Sequence, residues 1–93
     1  MYVVCVTFTI HPGQMQDFLP LMVENARTLR AEEAGCQQFD VCVAGEQIFL
    51  YEIYDDRAAF DLHLASAHFQ RFDASVADMV AAKQVALFDE VIR

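Results

Sequence analysis

The run Ile48-Phe49-Leu50-Tyr51-Glu52-Ile53-Tyr54 constrains this chain more than any other stretch. Side chains alternate across a strand, so Ile48, Leu50, Glu52 and Tyr54 fall on one side and Phe49, Tyr51 and Ile53 on the other. Both sides are apolar, which predicts a strand covered on both faces. A lone carboxylate, Glu52, then sits mid-strand in a covered position, where an unpaired charge costs free energy or takes up a proton. Glu52 needs a partner.

Ninety-three residues make one domain, 1–93, too short for two independent cores. A chain this small with 56% hydrophobic residues, eight Phe and no Trp carries more apolar surface than it can easily hide, so a homodimer is expected. The formal charge of -8, with Arg27, Arg30, Arg57, Arg71, Lys83 and Arg93 scattered, provides no basic patch for a phosphate backbone, and nucleic acid is not an expected partner. Apolar runs fall far short of the roughly 20 residues that span a bilayer, and no basic and apolar leader opens the chain. No membrane partner is expected, and the expected location is cytoplasmic. Cys5, Cys36 and Cys42 lack a CxxC spacing and read as buried thiols rather than a disulfide framework or zinc site.

Tyr2 to Ile10 is rich in β-branched and aromatic residues and stops at His11-Pro12-Gly13, which predicts the first strand. Met15, Phe18, Leu19, Met22, Val23, Ala26 and Leu29 then repeat at helical spacing to about Glu32. Pro20 interrupts this pattern and predicts a kink or a late start. Asn25 falls at the boundary of the apolar stripe, either an exposed amide or one that lines a pocket. Gly35 is expected just past the helix end in the usual C′ role.

Period two resumes from Cys36 to Ala44, and the tight Gly45-Glu46 connection predicts a hairpin into Ile48. Asp55 or Asp56 caps a second helix with Ala59, Phe60, His63 and Leu64 inward. Ser66 caps a further helix, with Phe69, Phe72, Val76, Met79 and Val80 at helical spacing, and Gln84 to Ile92 is the expected fourth strand. The order βαββαβ, with its second α broken near Ser66, predicts an α+β, ferredoxin-like fold: a four-stranded antiparallel sheet with helices on one face. The uncovered apolar face is the natural dimer surface, to which Val85, Leu87, Phe88, Val91 and Ile92 should contribute.

His63 lies one turn from Phe60 on the inner stripe, either as a satisfied core histidine or as a group lining a cavity. His68 falls in the first turn of the next helix, where free N–H groups disfavour imidazolium. The two are five apart across a helix break, which departs from the spacing of paired histidine metal ligands, so no metal is expected. No GxGxxG, GxxxxGK[ST] or GxSxG occurs. Chemistry must come from His, Glu, Tyr and Asn in an apolar pocket, which suits proton abstraction from an aromatic or enolisable substrate.

These residues carry a resemblance. The succession of Pro12-Gly13, Phe18, Asn25, Glu33-Ala34-Gly35, Phe39-Asp40-Val41, Tyr51 to Tyr54, Ala58-Ala59-Phe60, His63 and Ser66 to Phe69 resembles the antibiotic biosynthesis monooxygenase family over nearly the whole chain. It is similar to that family's small quinol monooxygenases and autoinducer-processing members. The resemblance implies a dimeric α+β barrel, a pocket between sheet and helices, and oxygenation of a small quinol-type or polycyclic aromatic without flavin or metal; no cofactor is expected. By position it implies His63, Glu52 and Asn25 as catalytic residues, with His63 the base, Glu52 orienting it and Asn25 steadying an oxyanion. His68, Tyr51, Tyr54 and Phe60 are the residues expected to meet the substrate. The chain departs from the family at Ala34, in place of a usual Pro, and in a short Ala44 to Gln47 connection, and the shorter loop bears on substrate choice. The absence of Trp sets the chain apart from haem-degrading relatives.

Two other readings use the same residues. An isomerase of a small phosphorylated keto-sugar needs cations for the phosphate, which only Arg27, Arg30, Arg57 and Arg71 could provide. A non-catalytic dimeric binding or stress-response module would use the histidines merely to fill its core.

Overall fold

A computed structural model describes all 93 residues. Its elements are β1 (Tyr2–Ile10), α1 (Met15–Glu32), β2 (Cys36–Ala44), β3 (Gln47–Tyr54), α2 (Arg57–Ala65), α3 (Ala67–Val76), a single 3₁₀ turn (Ala77–Met79) and β4 (Val80–Phe88). The strands form one antiparallel sheet in the order β2-β3-β1-β4, the ferredoxin-like arrangement with α2 and α3 in place of one second helix. No helix is long and apolar enough to cross a membrane.

The alternation in β1 and β3 decides where the core lies. Val4 pairs with Glu52, Val6 with Leu50 and Phe8 with Ile48, and all of these side chains are buried. Phe18, Met22, Ala26 and Leu29 of α1 pack into the same cluster, joined by Phe60 of α2 and by Phe72 and Val76 of α3. Burying such a side chain contributes about 1.5–3 kcal/mol. The opposite face carries Phe49, Tyr51 and Ile53 of β3 and Phe88 of β4, with Phe49 and Phe88 exposed.

Several local expectations are corrected. The α1 helix begins at Met15 and runs through Pro20 as one element, with no late start. The carbonyl that loses its partner to Pro20 belongs to Gln16, and both residues are exposed, so water can take that bond. The fourth strand starts at Val80, not Gln84, because Ile10 and Thr9 of β1 pair with Val80 and Ala82 across a small irregularity. It ends at Phe88, opposite Val3, where β1 itself runs out. Tertiary pairing thus overrides the weak strand preference of Ala81 and Ala82. Val85 and Leu87 pair with Val6 and Val4, so they point to the helix side rather than the open face, yet both stay about half exposed. Cys42 is an exposed thiol, and Cys5 and Cys36 are only partly buried. Leu64, expected inward, is 41% exposed.

Gly35 has a different reason from the one its position suggested. Its φ is not left-handed; instead a Cβ there would lie 2.7 Å from the Ala59 Cβ of α2. The loop after α1 therefore passes against α2 with room for a hydrogen only. Gly35→Ala should cost about 1–3 kcal/mol in denaturant unfolding. Adding Ala59→Gly should recover the part due to the collision, and a Gly35→Ala variant as stable as wild type would refute this account.

Candidate active site

Ser66 makes the corner that brings the histidines together. Its hydroxyl donates to the carbonyl of His63 (2.7 Å) and accepts from the backbone N–H of Phe69 (3.3 Å), ending α2 and starting α3 with one side chain. Asp56 caps α2 by accepting from Ala59 N–H (2.9 Å). The bend turns His63 and His68 toward one another, with ring centroids 6.0 Å apart, on a corner where an unbroken helix would separate them by about 140°.

His63 is 3% exposed and sits among Tyr54, Phe60 and Phe69, the nearest ring centroid being Phe69 at 4.9 Å. Its Nδ1 lies 2.9 Å from Glu33 Oε2. A carboxylate accepts only, so Nδ1 carries the hydrogen and Nε2 holds the lone pair. Burial pushes the imidazole pKa down, against the raising effect of the Glu33 bond, which favours the neutral ring. The ring lines a small cleft, about 60 Å³, walled mostly by apolar side chains of the sheet and all three helices. Glu33, which holds Nδ1, does not itself line the cleft.

Glu52 lines the same cleft and is 3% exposed. Its partner is Tyr54, whose hydroxyl donates to Oε1 at 2.7 Å. Burial raises the Glu52 pKa to about 7, with the Tyr54 bond and Lys83 pulling down and Glu33 pushing up. A carboxyl held partly protonated near neutrality can donate a hydrogen bond into an apolar site as well as accept one. Burial, then the neighbouring Glu52 charge, pushes the Tyr54 phenol above the ordinary tyrosine range, so it remains a donor.

The expected pairing of Glu52 with His63 is therefore replaced by two separate pairs, Glu52 with Tyr54 and His63 with Glu33. Asn25 is buried and lines both the cleft and an outer groove between α1 and α3, and its Oδ1 has no hydrogen-bond partner. Phe60 lines the cleft, whereas Tyr54 lies behind Glu52 and Tyr51 belongs to the opposite face of the sheet. His68 opens onto the outer groove, with Nε2 2.7 Å from Glu33 Oε2 and Nδ1 3.7 Å from Glu32 Oε2.

Two participants escaped the sequence reading. Glu33 follows Leu29 by four on the same stripe as Met22 and Ala26, so a carboxylate on an inward helical position was the available signal. Lys83, at the cleft mouth, lies 5.4 Å above the Phe8 ring and 3.8 Å from Asp73. Its position follows from the start of β4, which the sequence placed too late.

Glu52 should leave a signature in stability. Its folded pKa, about 7, exceeds the ordinary value of 4.5. The native state therefore binds more protons than the unfolded chain between these limits, and stability should fall as pH rises through that window, by roughly 3 kcal/mol in all. Glu52→Gln should flatten the slope in urea titrations at stepped pH. An unchanged slope would show that Glu52 is not its source.

The profile of the antibiotic biosynthesis monooxygenase family matches residues 1–75. A crystal structure of an antibiotic biosynthesis monooxygenase, of unspecified source, is 29% identical, superposes with a TM-score of 0.90, and the match covers 99% of this chain and 100% of that one. A Nitrosomonas europaea protein provisionally given the same description is 24% identical with a TM-score of 0.89, over 99% of this chain and 100% of its own. A Mycobacterium tuberculosis protein is 23% identical with a TM-score of 0.91, over 99% and 96%. The last two speak to the fold alone. No curated protein matches the sequence. With the family profile covering most of the chain and the ferredoxin-like fold preserved end to end, the protein belongs to the antibiotic biosynthesis monooxygenase family.

Proposed function

We propose that the protein is a cofactor-independent monooxygenase acting on a quinol-type or polycyclic aromatic substrate. The observation that carries this reading is the part-buried Glu33–His63 bond at an apolar cleft that Glu52 also lines. His63 Nε2 takes a proton from a phenol or its keto tautomer, and Glu33 orients the imidazole and stabilises the imidazolium that forms. The electron-rich anion passes one electron to dioxygen, and the radical pair combines into a C–OO⁻ adduct, which the imidazolium protonates. Removal of the remaining hydrogen on that carbon breaks the O–O bond, so one oxygen stays as a carbonyl and the other leaves as water. The substrate supplies all the electrons. Glu52, in its neutral form, donates to the substrate oxygen where negative charge develops, and the Asn25 amide lies within the same cleft wall.

The cleft volume sets a condition on binding. An apolar cavity of about 150 Å³ holds one benzene ring, and this cleft has about 60 Å³. Binding of an aromatic ring requires the cleft walls to move outward. No arginine lines the cleft, which weighs against a phosphorylated keto-sugar: Arg30 bonds the Phe39 carbonyl, Arg57 meets Asp61, and Arg71 faces the outer groove.

We further propose that two copies pair through the open sheet face. Support comes from the exposed Phe49, Phe88 and Ile92, and from the bare strand β4. Sedimentation at micromolar concentration should give twice the chain mass, and a monomer would remove this claim.

Oxygen uptake with a naphthohydroquinone or an anthrone, with no added metal, tests the activity. His63→Ala should lower turnover by about 10²–10⁴. Glu33→Gln should lower it as well, and the double variant should be hardly worse than His63→Ala alone, because one residue acts through the other. Strictly multiplicative losses, or unchanged activity per folded molecule, would make the pair a structural contact and favour the non-catalytic reading.

A further inference from the structure

Outside the cleft, on the far side of the His63 ring, three potential ligand atoms converge: His63 Nδ1, His68 Nε2 and Glu33 Oε2 all lie within 4.8 Å of one another. We propose that this cluster is a divalent transition-metal site of the zinc class, and that its occupation switches off the base in the cleft. Two imidazoles and a carboxylate are a ligand set that zinc and its neighbours accept, with the fourth position left for water. Side-chain exposures of 4% for His63, 12% for His68 and 14% for Glu33 place the cluster just beneath the surface. A surface depression of about 270 Å³, lined by Glu32, Glu33 and Gly35 and by neither histidine, adjoins the carboxylate of the cluster.

The geometry requires two adjustments, because the two nitrogens, within 4.8 Å of each other, must close up as well as stand off from the shared oxygen. The nitrogens stand 2.9 and 2.7 Å from the shared oxygen as hydrogen-bond partners, whereas ligand atoms around a tetrahedral ion with bonds of about 2.1 Å are roughly 3.4 Å apart. Withdrawal of the Glu33 carboxylate by about half an ångström makes the room, and a side-chain rotation of the exposed-side His68 brings its Nε2 toward His63 Nδ1. An outer partner is already present for His68, since Nδ1 faces Glu32 Oε2 at 3.7 Å. Accepting that N–H would fix Nε2 as the metal-facing nitrogen, the usual role of a carboxylate behind a ligating histidine. Ser66 Oγ, 3.4 Å from His68 Nε2, is the remaining polar neighbour of that nitrogen.

The five-residue spacing that argued against metal assumes a single helix. Here the Ser66 corner bends the chain between the two histidines, and the third ligand arrives from just past α1.

The consequence for the cleft follows from the ring's two nitrogens, and it rests on the reading of His63 as base. A metal on Nδ1 needs that lone pair, so the hydrogen of neutral His63 must sit on Nε2. The imidazole then presents N–H to the cleft and cannot accept a proton. Metal binding and base catalysis exclude one another at the same ring.

The full chain, stripped with a chelator, would be dialysed against Zn²⁺ and titrated with Co²⁺. One ion per chain is expected, with visible bands of a four-coordinate nitrogen and oxygen site. Glu33→Gln and His68→Gln should each weaken binding at least tenfold, while His11→Gln and Cys42→Ser should leave it unchanged. Zn²⁺ binding no tighter than millimolar, or equal binding to wild type and to whichever of the two ligand variants folds, would overturn the site. Zn²⁺-loaded protein should consume oxygen at least tenfold more slowly than stripped protein, and equal or faster uptake would overturn the switch. If stripped protein has no turnover, the base reading and the switch fall together, while the dialysis stoichiometry still decides the site.

Discussion

The contact between the loop after α1 and the middle of α2 is the constraint on which the site depends. Gly35 lets backbone pass where a Cβ would meet Ala59 at 2.7 Å, and two residues earlier Glu33 reaches His63. A wider separation would leave the imidazole buried without a partner, which costs about 1–3 kcal/mol for a neutral polar group. The same contact fixes the tautomer and holds the ring between Phe60 and Phe69. Packing and chemistry are thus set by one close approach.

Glu52 shows the opposite economy. A leucine at its place would suit a strand flanked by Val4 and Phe39, and the chain instead holds a carboxyl whose ionisation burial opposes. Tyr54, two residues along on the same side of β3, offsets part of that cost by donating to it. Locally unfavourable polar groups kept in a core where apolar ones would serve better are the places to look for function. Here two such groups, Glu52 and His63, line one cleft.

The helices leave β4 bare, and this decides the outer limits of the molecule. Nearly all of Val80–Phe88 is exposed on both sides, including Val85, Leu87 and Phe88. The cleft opens beside this strand, with Val85 and Lys83 on its margin. A partner on the open face, as proposed above, would bury Phe88, while Val85 and Leu87 stay on the helix side beside the cleft.

Much of this was determined by sequence alone. The alternation in Ile48–Tyr54 and Tyr2–Ile10, the stripe of α1 and the caps at Asp56 and Ser66 depend on neighbours within a few residues, and they specify strands, helices and fold class through local geometry. The sequence also marked Glu52 as a carboxyl in need of a partner and left Asn25 and His63 each with two readings, and the structure puts both at the cleft. Which atoms meet was decided only in three dimensions. Tyr54 rather than His63 takes Glu52, because side chains two apart on a strand share a face. Glu33 takes His63 across a separation of thirty residues, a pairing set by how closely α1's end passes α2. The alternation had already put Tyr51 on the side away from Glu52, whereas β4 began where β1 offered partners rather than where its own residues preferred. Local periodicity carries no information about which two elements touch, and the site is made of such contacts.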